Sequence, residues 1–351
     1  MASVVVALLP VLAFLATLVL LDSFKLVPLR SGMQAIAAGA IAALAAGHLN
    51  GWLLEVTGLP LASFSRYVSP FSEELLKAAY VVFLIRRRRV GFLVDAVIQG
   101  FAVGAGFALV ENVDYLRRLG EASLLLWFVR GLGTALLHGA TTSILAILGK
   151  SFSDRYPERR ALAFVPGAAA AIGIHSLFNH AVVSPLLASL LLLAALPAAV
   201  VVIFERSERA TREWLGAGFD LDLDLLKLIL SGVFPHTRLG SYLESLKARF
   251  PGEVVADMFC LLRVELELSI RAKGMLMARE AGFDVPVGAD LTASLAELKY
   301  LERSIGRTGL LALKPLHVTS SRDLWHHYLL EQAGGAPRGE EVDHLPEDPR
   351  R

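Results

Sequence analysis

The chain has 351 residues, of which 55% are hydrophobic, and its mean hydropathy is +0.56. This composition is too apolar for a soluble protein of that length and indicates a membrane protein. The net charge is +1 and no basic run is longer than Arg86–Arg89, which argues against a nucleic-acid binder. The single cysteine, Cys260, excludes an intramolecular disulfide and a cysteine-based metal cluster.

Apolar stretches in the first part of the chain predict an all-α, polytopic membrane bundle of about seven spans. Each stretch is about long enough for a helix to cross ~30 Å of hydrocarbon. The first stretch lacks the basic start and the cleavage site of a signal peptide, so we interpret it as a retained span. The predicted spans are 2–21, 33–54, 68–85, 93–115, 123–149, 160–183 and 185–204.

The second part of the chain has a different composition. Residues 1–204 contain 15 basic and 10 acidic side chains, whereas residues 205–351 contain 19 and 23. After residue 204, charges interleave with shorter apolar runs at helical spacing, which predicts a soluble helical domain over 205–333. The Pro-rich, acidic residues 334–351 predict a disordered tail. The helical domain is expected either to bind a protein partner or to act as a lid that stabilises the last span.

The distribution of Lys and Arg among the connections predicts the orientation. Thirteen of these residues fall in the connections after spans 1, 3, 5 and 7, and only three fall in the opposite connections. Because cytoplasmic loops collect basic residues, the N-terminus is predicted to lie outside and the 205–333 domain in the cytoplasm.

Ionisable side chains inside spans are costly and usually mark a site. Taken singly, the acids of span 3 fit an ordinary helix start, Glu111 fits an interfacial carboxylate and His138 fits a hydrogen-bonded core histidine. The predicted topology, however, brings most of the ionisable side chains to the outer half of the bilayer. His138 lies nearer the middle of the membrane. The sequence therefore predicts one site, formed by Glu73, Glu74 and Lys77 of span 3, Glu111 and Asn112 of span 4, His138 of span 5, and His175, Asn179 and His180 of span 6.

Carboxylates, histidines and an amide suit the activation of water, because no Ser-His-Asp pattern or nearby Cys supplies a protein nucleophile. A glutamate could take a proton from water, a histidine could orient the water, and Asn179 could donate to an oxyanion, which together describe amide hydrolysis. In a second version, His138, His175 and Glu111 bind zinc. The metal-free version is slightly favoured, because His175 and His180 point about 140° apart around a helix and no H-E-x-x-H motif occurs.

The four motifs together resemble the PrsW family of intramembrane proteases, related to the CAAX-processing and bacteriocin-immunity proteases. The motifs are Glu73-Glu74-x-x-Lys77, Phe107-x-x-x-Glu111-Asn112, an isolated His138, and His175-x-x-x-Asn179-His180, within roughly residues 30–204. The resemblance implies a membrane endopeptidase with Glu73, Glu74, Glu111, His138, His175 and Asn179 as catalytic residues. It also implies a bacterial cell membrane and a membrane-protein substrate such as an anti-sigma factor, and it leaves the metal open.

An ion- or proton-coupled transporter is the alternative class, because intramembrane acids and histidines also form proton relays. Such folds often contain corresponding broken segments in two halves. We find no such correspondence in this sequence, so the protease interpretation is favoured. A receptor or scaffold would not need a convergent set of ionisable side chains.

Overall fold

The computed structural model describes residues 2–119, 122–156, 162–232, 234–283, 289–313, 315, 329 and 330. Within these ranges the chain is helical and contains no β-strand, as the sequence predicts. The predicted tail, 334–351, lies outside the described residues. The helices are α1 (Ala2–Leu20), α2 (Leu29–Thr57), α3 (Leu61–Ser63), α4 (Ser69–Arg86), α5 (Leu93–Leu119), α6 (Leu124–Phe128), α7 (Ala135–Arg155), α8 (Val165–Asn179), α9 (Pro185–Leu230), α10 (Arg238–Leu246), α11 (Gly252–Glu280) and α12 (Ala289–Leu313).

Six described helical segments are long and apolar enough to cross a membrane, which confirms the membrane-bundle class. They are Ala2–Leu20, Leu29–Thr57, Leu93–Leu119, Leu124–Arg155, Leu162–Asn179 and Pro185–Leu230. The predicted span 68–85 forms α4, which differs from these six segments in carrying four charged residues. Its charges at Glu73, Glu74 and Lys77 are all buried, and its exposed residues before Arg86 are apolar.

Glycines let α5 approach two neighbouring helices closely. A Cβ at Gly106 would lie 2.0 Å from the Ile36 carbonyl oxygen of α2, and one at Gly104 would lie 2.1 Å from the His138 carbonyl oxygen of α7. Small residues allow such backbone contact between membrane helices, where dispersion rather than hydrophobic burial drives association. As a result α5 is the most buried of the candidate spans and lies between α2 and α7.

Two short π-helical segments interrupt the bundle beside the charged residues. Phe64–Val68 leads directly into α4, and Val129–Thr134 joins α6 to α7. π-Helical turns inside α-helices are rare and often occur at functional sites, because they change the phase of the side chains that follow. The two segments therefore set the directions of α4 and α7, which carry Glu73, Glu74 and His138.

The chain separates into two compact units. One contains Met1–Gly218 together with Leu276–Phe283, and the other begins with Phe219–Met275 and includes α12. Within the second unit, Lys273 is buried and its Nζ donates to Asp222 Oδ2 at 2.6 Å. Helix α9 continues without a break through residue 204, and the predicted boundary between domains at that position stays a prediction.

Candidate active site

Five of the six predicted catalytic residues converge where α4, α5, α7 and α8 meet. Glu73, Glu74, His138 and His175 are buried, and the side chain of Glu111 is 25% exposed. The ring centroids of His138 and His175 lie 5.0 Å apart with the rings nearly perpendicular. The sequence predicted this convergence from four separate spans, and the structure brings these five residues together.

Glu74 lies at the centre of the cluster with no exposed surface. Its Oε1 accepts hydrogen bonds from Lys77 Nζ at 2.7 Å and Thr141 Oγ1 at 3.1 Å, and lies 2.8 Å from His175 Nδ1. Its Oε2 has no hydrogen-bond partner among the described residues. Because an ionised carboxylate only accepts hydrogen bonds, the Nδ1 of His175 is the donor, and the Nε2 of a neutral ring is left as an acceptor.

Glu73 lies beside that acceptor. The distance between Glu73 Oε2 and His175 Nε2 is 3.9 Å, which is too long for a direct hydrogen bond. The other oxygen of Glu73 accepts from Ser69 Oγ and from Asn50 Nδ2, the latter at 3.2 Å. Ser69 makes no capping bond, since α4 continues directly from the π-helical Val68. One face of Glu73 is thus fixed by hydrogen bonds while the other faces the histidine.

His138 is held from two sides. Its Nδ1 lies 3.1 Å from Lys77 Nζ, and its Nε2 lies 2.9 Å from Glu111 Oε2. A lysine ammonium can only donate, so Nδ1 must accept and the ring proton must be on Nε2. The imidazole therefore donates to Glu111, and this pair of contacts selects one tautomer of His138.

Glu111 is also paired with a cation that the sequence analysis did not include in the site. Arg130 Nη2 lies 3.2 Å from Glu111 Oε2, and Arg130 Nε donates to Asn112 Oδ1 at 3.0 Å. The guanidinium lies 3.4 Å from the ring centroid of Tyr115. The three carboxylates are therefore balanced by two cations, Lys77 and Arg130, which leaves one net negative charge when both histidines are neutral.

Two predicted residues do not contact the cluster. Asn179 Nδ2 donates to the Ser65 carbonyl oxygen at 2.9 Å. The Nδ1 of His180 lies 2.7 Å from the Ser176 carbonyl oxygen, and its ring packs edge-on against Tyr67. Asn179 thus hydrogen-bonds to the π-helical segment Phe64–Val68, which leads into α4, and His180 packs against the same segment. The role of Asn179 as an oxyanion donor stays a prediction.

Besides Arg130, the predicted site omitted Asn50 and Thr141. Asn50 comes from α2 and contacts Ser69, Ser72 and Glu73 with its one amide group. An amide in an Ala-rich apolar span was the available signal for Asn50. Thr141, one turn after His138, gave no signal of its own, because threonines commonly bond to their own helix backbone.

The residue types also fit a metal ion. Glu73, His138 and His175 each offer one ligand atom, and these atoms lie within 4.8 Å of one another. Two imidazoles and a carboxylate with an open position are a donor set that zinc uses in enzymes. Glu73 thus takes the place that the sequence analysis gave to Glu111. The hydrogen bonds of both His138 nitrogens compete with metal binding, since a ligating nitrogen needs a free lone pair.

A helical bundle with six long apolar segments and a buried cluster of carboxylates and histidines defines a polytopic membrane protein with an intramembrane polar site. The family model described as PrsW family intramembrane metalloprotease matches residues 27–204. The chain therefore belongs to the PrsW family, and it is an intramembrane protease that acts on membrane-protein substrates. Family membership does not favour the transporter alternative. Comparison with curated proteins and with solved structures gave no match.

Proposed function

We propose that this protease hydrolyses a peptide bond with a water molecule held between Glu73 and His175. The observation that carries the proposal is the 3.9 Å separation between Glu73 Oε2 and His175 Nε2, two acceptors that face each other. A polar gap of this length suits a bridging water. Such a water donates one proton to each acceptor, and its oxygen lone pairs remain directed away from both, toward a substrate carbonyl.

The chemistry follows from that arrangement. The water oxygen attacks the carbonyl carbon while Glu73 takes one of the water protons, giving a tetrahedral oxyanion. The carbon–nitrogen bond then breaks, and the proton passes from Glu73 to the leaving amine. Glu74 keeps His175 in the required tautomer, and Asn50 and Ser69 hold Glu73 in place. His138 and Arg130 hold Glu111 at the exposed edge of the cluster.

The proposal does not require a metal. The contacts of His138 with Lys77 and Glu111 support the metal-free version, because both nitrogens already have partners. If zinc is bound, Glu73, His138 and His175 would hold it, and it would supply a water of lowered pKa. All three residues change role between the versions: Glu73 and His175 would bind the ion instead of holding a water between them, and His138 would bind it instead of donating to Glu111.

We further propose that the protein lies in a bacterial cell membrane with its N-terminus outside and the 205–333 domain in the cytoplasm. The thirteen-to-three distribution of Lys and Arg supports this orientation. The site would then face the outer half of the bilayer, and a membrane-bound anti-sigma factor is the substrate suggested by the family resemblance. Reporter fusions at residues 60 and 210 test the orientation; a cytoplasmic signal at 60 with an external signal at 210 would overturn it.

The protease mechanism is tested with Glu73→Gln. Membranes from cells that express the wild type or the variant are compared by mass spectrometry of newly formed protein N-termini. Glu55→Gln is the matched control, since Glu55 is exposed and the same charge is lost outside the cluster. Cleavage of membrane proteins should fall about 10²–10⁴-fold in Glu73→Gln and persist in the control. Equal cleavage by Glu73→Gln and the wild type would exclude Glu73 as the base.

A further inference from the structure

Helix α4 exposes an apolar stripe that ends in arginines. Every fourth residue of its outer face is exposed, from Phe71 through Leu75 and Ala79 to Phe83. The next position in this series is Arg87, and Arg86 and Arg88 beside it are also exposed. From Leu75 to Arg87 the helix rises about 18 Å, close to the ~15 Å of one hydrocarbon leaflet. The stripe thus has the length of a lipid tail and cations at one end.

Aromatic rings lie beside the guanidinium groups of three of these arginines. The guanidinium carbons of Arg87 and Arg89 lie 5.8 and 5.4 Å from the ring centroid of Phe83, and that of Arg86 lies 6.0 Å from Phe164. Within the described ranges, no carboxylate forms an ion pair with Arg86 or Arg87. A guanidinium that stacks on a ring keeps its N–H groups available at its edge, where they can bind phosphate oxygens in pairs.

The turn that follows α4 brings the arginines together. Arg89 N donates to the Leu84 carbonyl and Arg88 N to the Ile85 carbonyl, which is the Schellman arrangement at a helix end. Arg88 is the residue of this motif that has left-handed backbone angles, with φ +56°. Glycine is the residue that this position favours, so the chain keeps a cation there despite an unfavourable backbone conformation.

We propose that the outer face of α4 is a binding site for an anionic phospholipid. Its phosphate is bound by Arg86 and Arg87, and one acyl chain lies along Phe83, Ala79 and Leu75. Basic residues at the membrane surface attract anionic headgroups. A substrate helix would match the apolar stripe but not four consecutive cations, which is why the lipid is favoured as the occupant. The inner face of the same helix carries Glu73 and Glu74, so a lipid bound here contacts the element that positions the catalytic carboxylates.

The test is native mass spectrometry of the full chain in detergent, titrated with phosphatidylglycerol, with phosphatidylcholine as the neutral lipid. Phosphatidylglycerol should bind more tightly, and Arg86→Gln/Arg87→Gln should weaken it roughly tenfold to thirtyfold. Arg117→Gln/Arg118→Gln, which removes two exposed arginines elsewhere, should leave the affinity unchanged. Arg88→Gly keeps the turn and should weaken binding by a smaller factor, so that a folding defect of the double variant does not decide the result.

Two further measurements test whether the acyl chain is recognised together with the phosphate. Phe83→Ala should weaken binding of the lipid, and inorganic phosphate should compete only weakly, because it lacks the acyl chain. Three results would overturn the proposal: equal affinity for the two lipids, equal affinity of the Arg86→Gln/Arg87→Gln and Arg117→Gln/Arg118→Gln variants, or complete displacement by inorganic phosphate at millimolar concentration. Loss of substrate cleavage in Phe83→Ala with unchanged lipid binding would assign the stripe to a substrate helix instead.

Discussion

His175 Nδ1 lies 2.8 Å from Glu74 Oε1, and the opposite nitrogen of the same ring faces Glu73. The two neighbouring glutamates therefore have different surroundings. Glu74 has no exposed surface and accepts hydrogen bonds from Lys77 and Thr141 as well, whereas Glu73 borders the gap that suits a water. We therefore expect Glu73 to take the proton from water and Glu74 to orient His175.

The variants Glu73→Gln and Glu74→Gln are expected to differ in stability. Glu74→Gln leaves the buried Lys77 ammonium without its counter-ion, a change that typically costs about 3–5 kcal/mol. It should lower both thermal stability in detergent and activity, while Glu73→Gln should lower activity alone. Thermal unfolding of the two purified variants measures the difference.

The double variant Glu74→Gln/Lys77→Met is the control for that prediction. It removes both charges of the buried pair and should recover much of the lost stability, because no uncompensated charge remains. Activity should not return, since the carboxylate acceptor for His175 is still absent. Equal stability of Glu73→Gln and Glu74→Gln would contradict the assignment of separate roles.

Asn50 is predicted to be a positioning residue for Glu73. Its Nδ2 donates to Glu73 Oε1 at 3.2 Å, and Asn50→Ala removes that bond. A hydrogen bond to a charged group is worth about 1.5–3 kcal/mol, so the rate should fall roughly tenfold to a hundredfold. The loss should appear in kcat with little change in KM, because Asn50 acts on the carboxylate and not on the substrate.

Gln34→Ala is the matched control for Asn50→Ala. Gln34 is an exposed amide on the same helix, and its removal should leave kcat unchanged. Asn50→Asp adds a carboxylate next to Glu73 and should be more damaging than Asn50→Ala. If Asn50→Ala retains the wild-type kcat, hydrogen bonding from α2 does not position Glu73.

The fold was predictable from the sequence to the extent that apolar length determines it. The predicted spans 33–54 and 93–115 correspond to Leu29–Thr57 and Leu93–Leu119. The helices are longer than the predicted spans because the helical backbone continues beyond the apolar stretch of the sequence. The close packing of α5 was not predictable, since Gly104 and Gly106 are only two among 29 glycines. Their importance depends on which neighbour each one faces.

The ionisable residues of the candidate site were predictable, because burying an ionisable side chain in a membrane costs free energy. Glu73, Glu74, Glu111, His138 and His175 were found because ionisable side chains in apolar spans are rare. Arg130 precedes His138 by two four-residue steps, which indicates a shared polar face, and both side chains contact Glu111 Oε2 although the π-helical segment Val129–Thr134 lies between them. Asn179 was placed near His175 by one-turn spacing, yet its amide bonds to the π-helical segment before α4.

Metal dependence separates the two versions of the mechanism. We expect purified, active protein to contain less than about a tenth of a zinc ion per chain and to keep its activity with chelator, because the His138 nitrogens are engaged by Lys77 and Glu111. Elemental analysis measures the content directly. About one zinc per chain, lost in His175→Ala but retained in the exposed-site control His48→Ala, would show that the metal-free version is wrong.

A substitution that disturbs the packing of α5 against α7 should affect both the stability of the fold and the position of His138. Gly104→Ala would place a methyl group 2.1 Å from the His138 carbonyl oxygen, so one helix must shift. Overpacking of this kind costs about 1–3 kcal/mol, and the shift should also displace His138. Gly173→Ala is the control, because nothing lies within 4 Å of its added Cβ. The control should unfold at the same temperature as the wild type or slightly higher.

Asp22, in the connection between α1 and α2, should make stability depend on pH. Burial raises the pKa of its carboxyl group from 3.8 to about 6, even though the backbone N–H groups of Leu26 and Val27 donate to it. The folded state therefore binds a proton that the unfolded state has already released between about pH 4 and pH 6. The stabilisation from this group is fully present below pH 3.8 and is lost as the pH rises through about 6.

Asp22→Asn keeps an oxygen acceptor for the two backbone donors and removes the titration. Between pH 5 and pH 7 the unfolding temperature of this variant should fall less steeply than that of the wild type, and above pH 7 the variant should be at least as stable, because no buried charge must form. Thermal unfolding of the full chain in one detergent at a series of pH values measures both effects. Asp114→Asn, at a half-exposed carboxylate paired with Arg118, is the control and should follow the wild-type curve. Parallel curves for the wild type and Asp22→Asn over this range would show that Asp22 is already ionised when the protein is folded at pH 5.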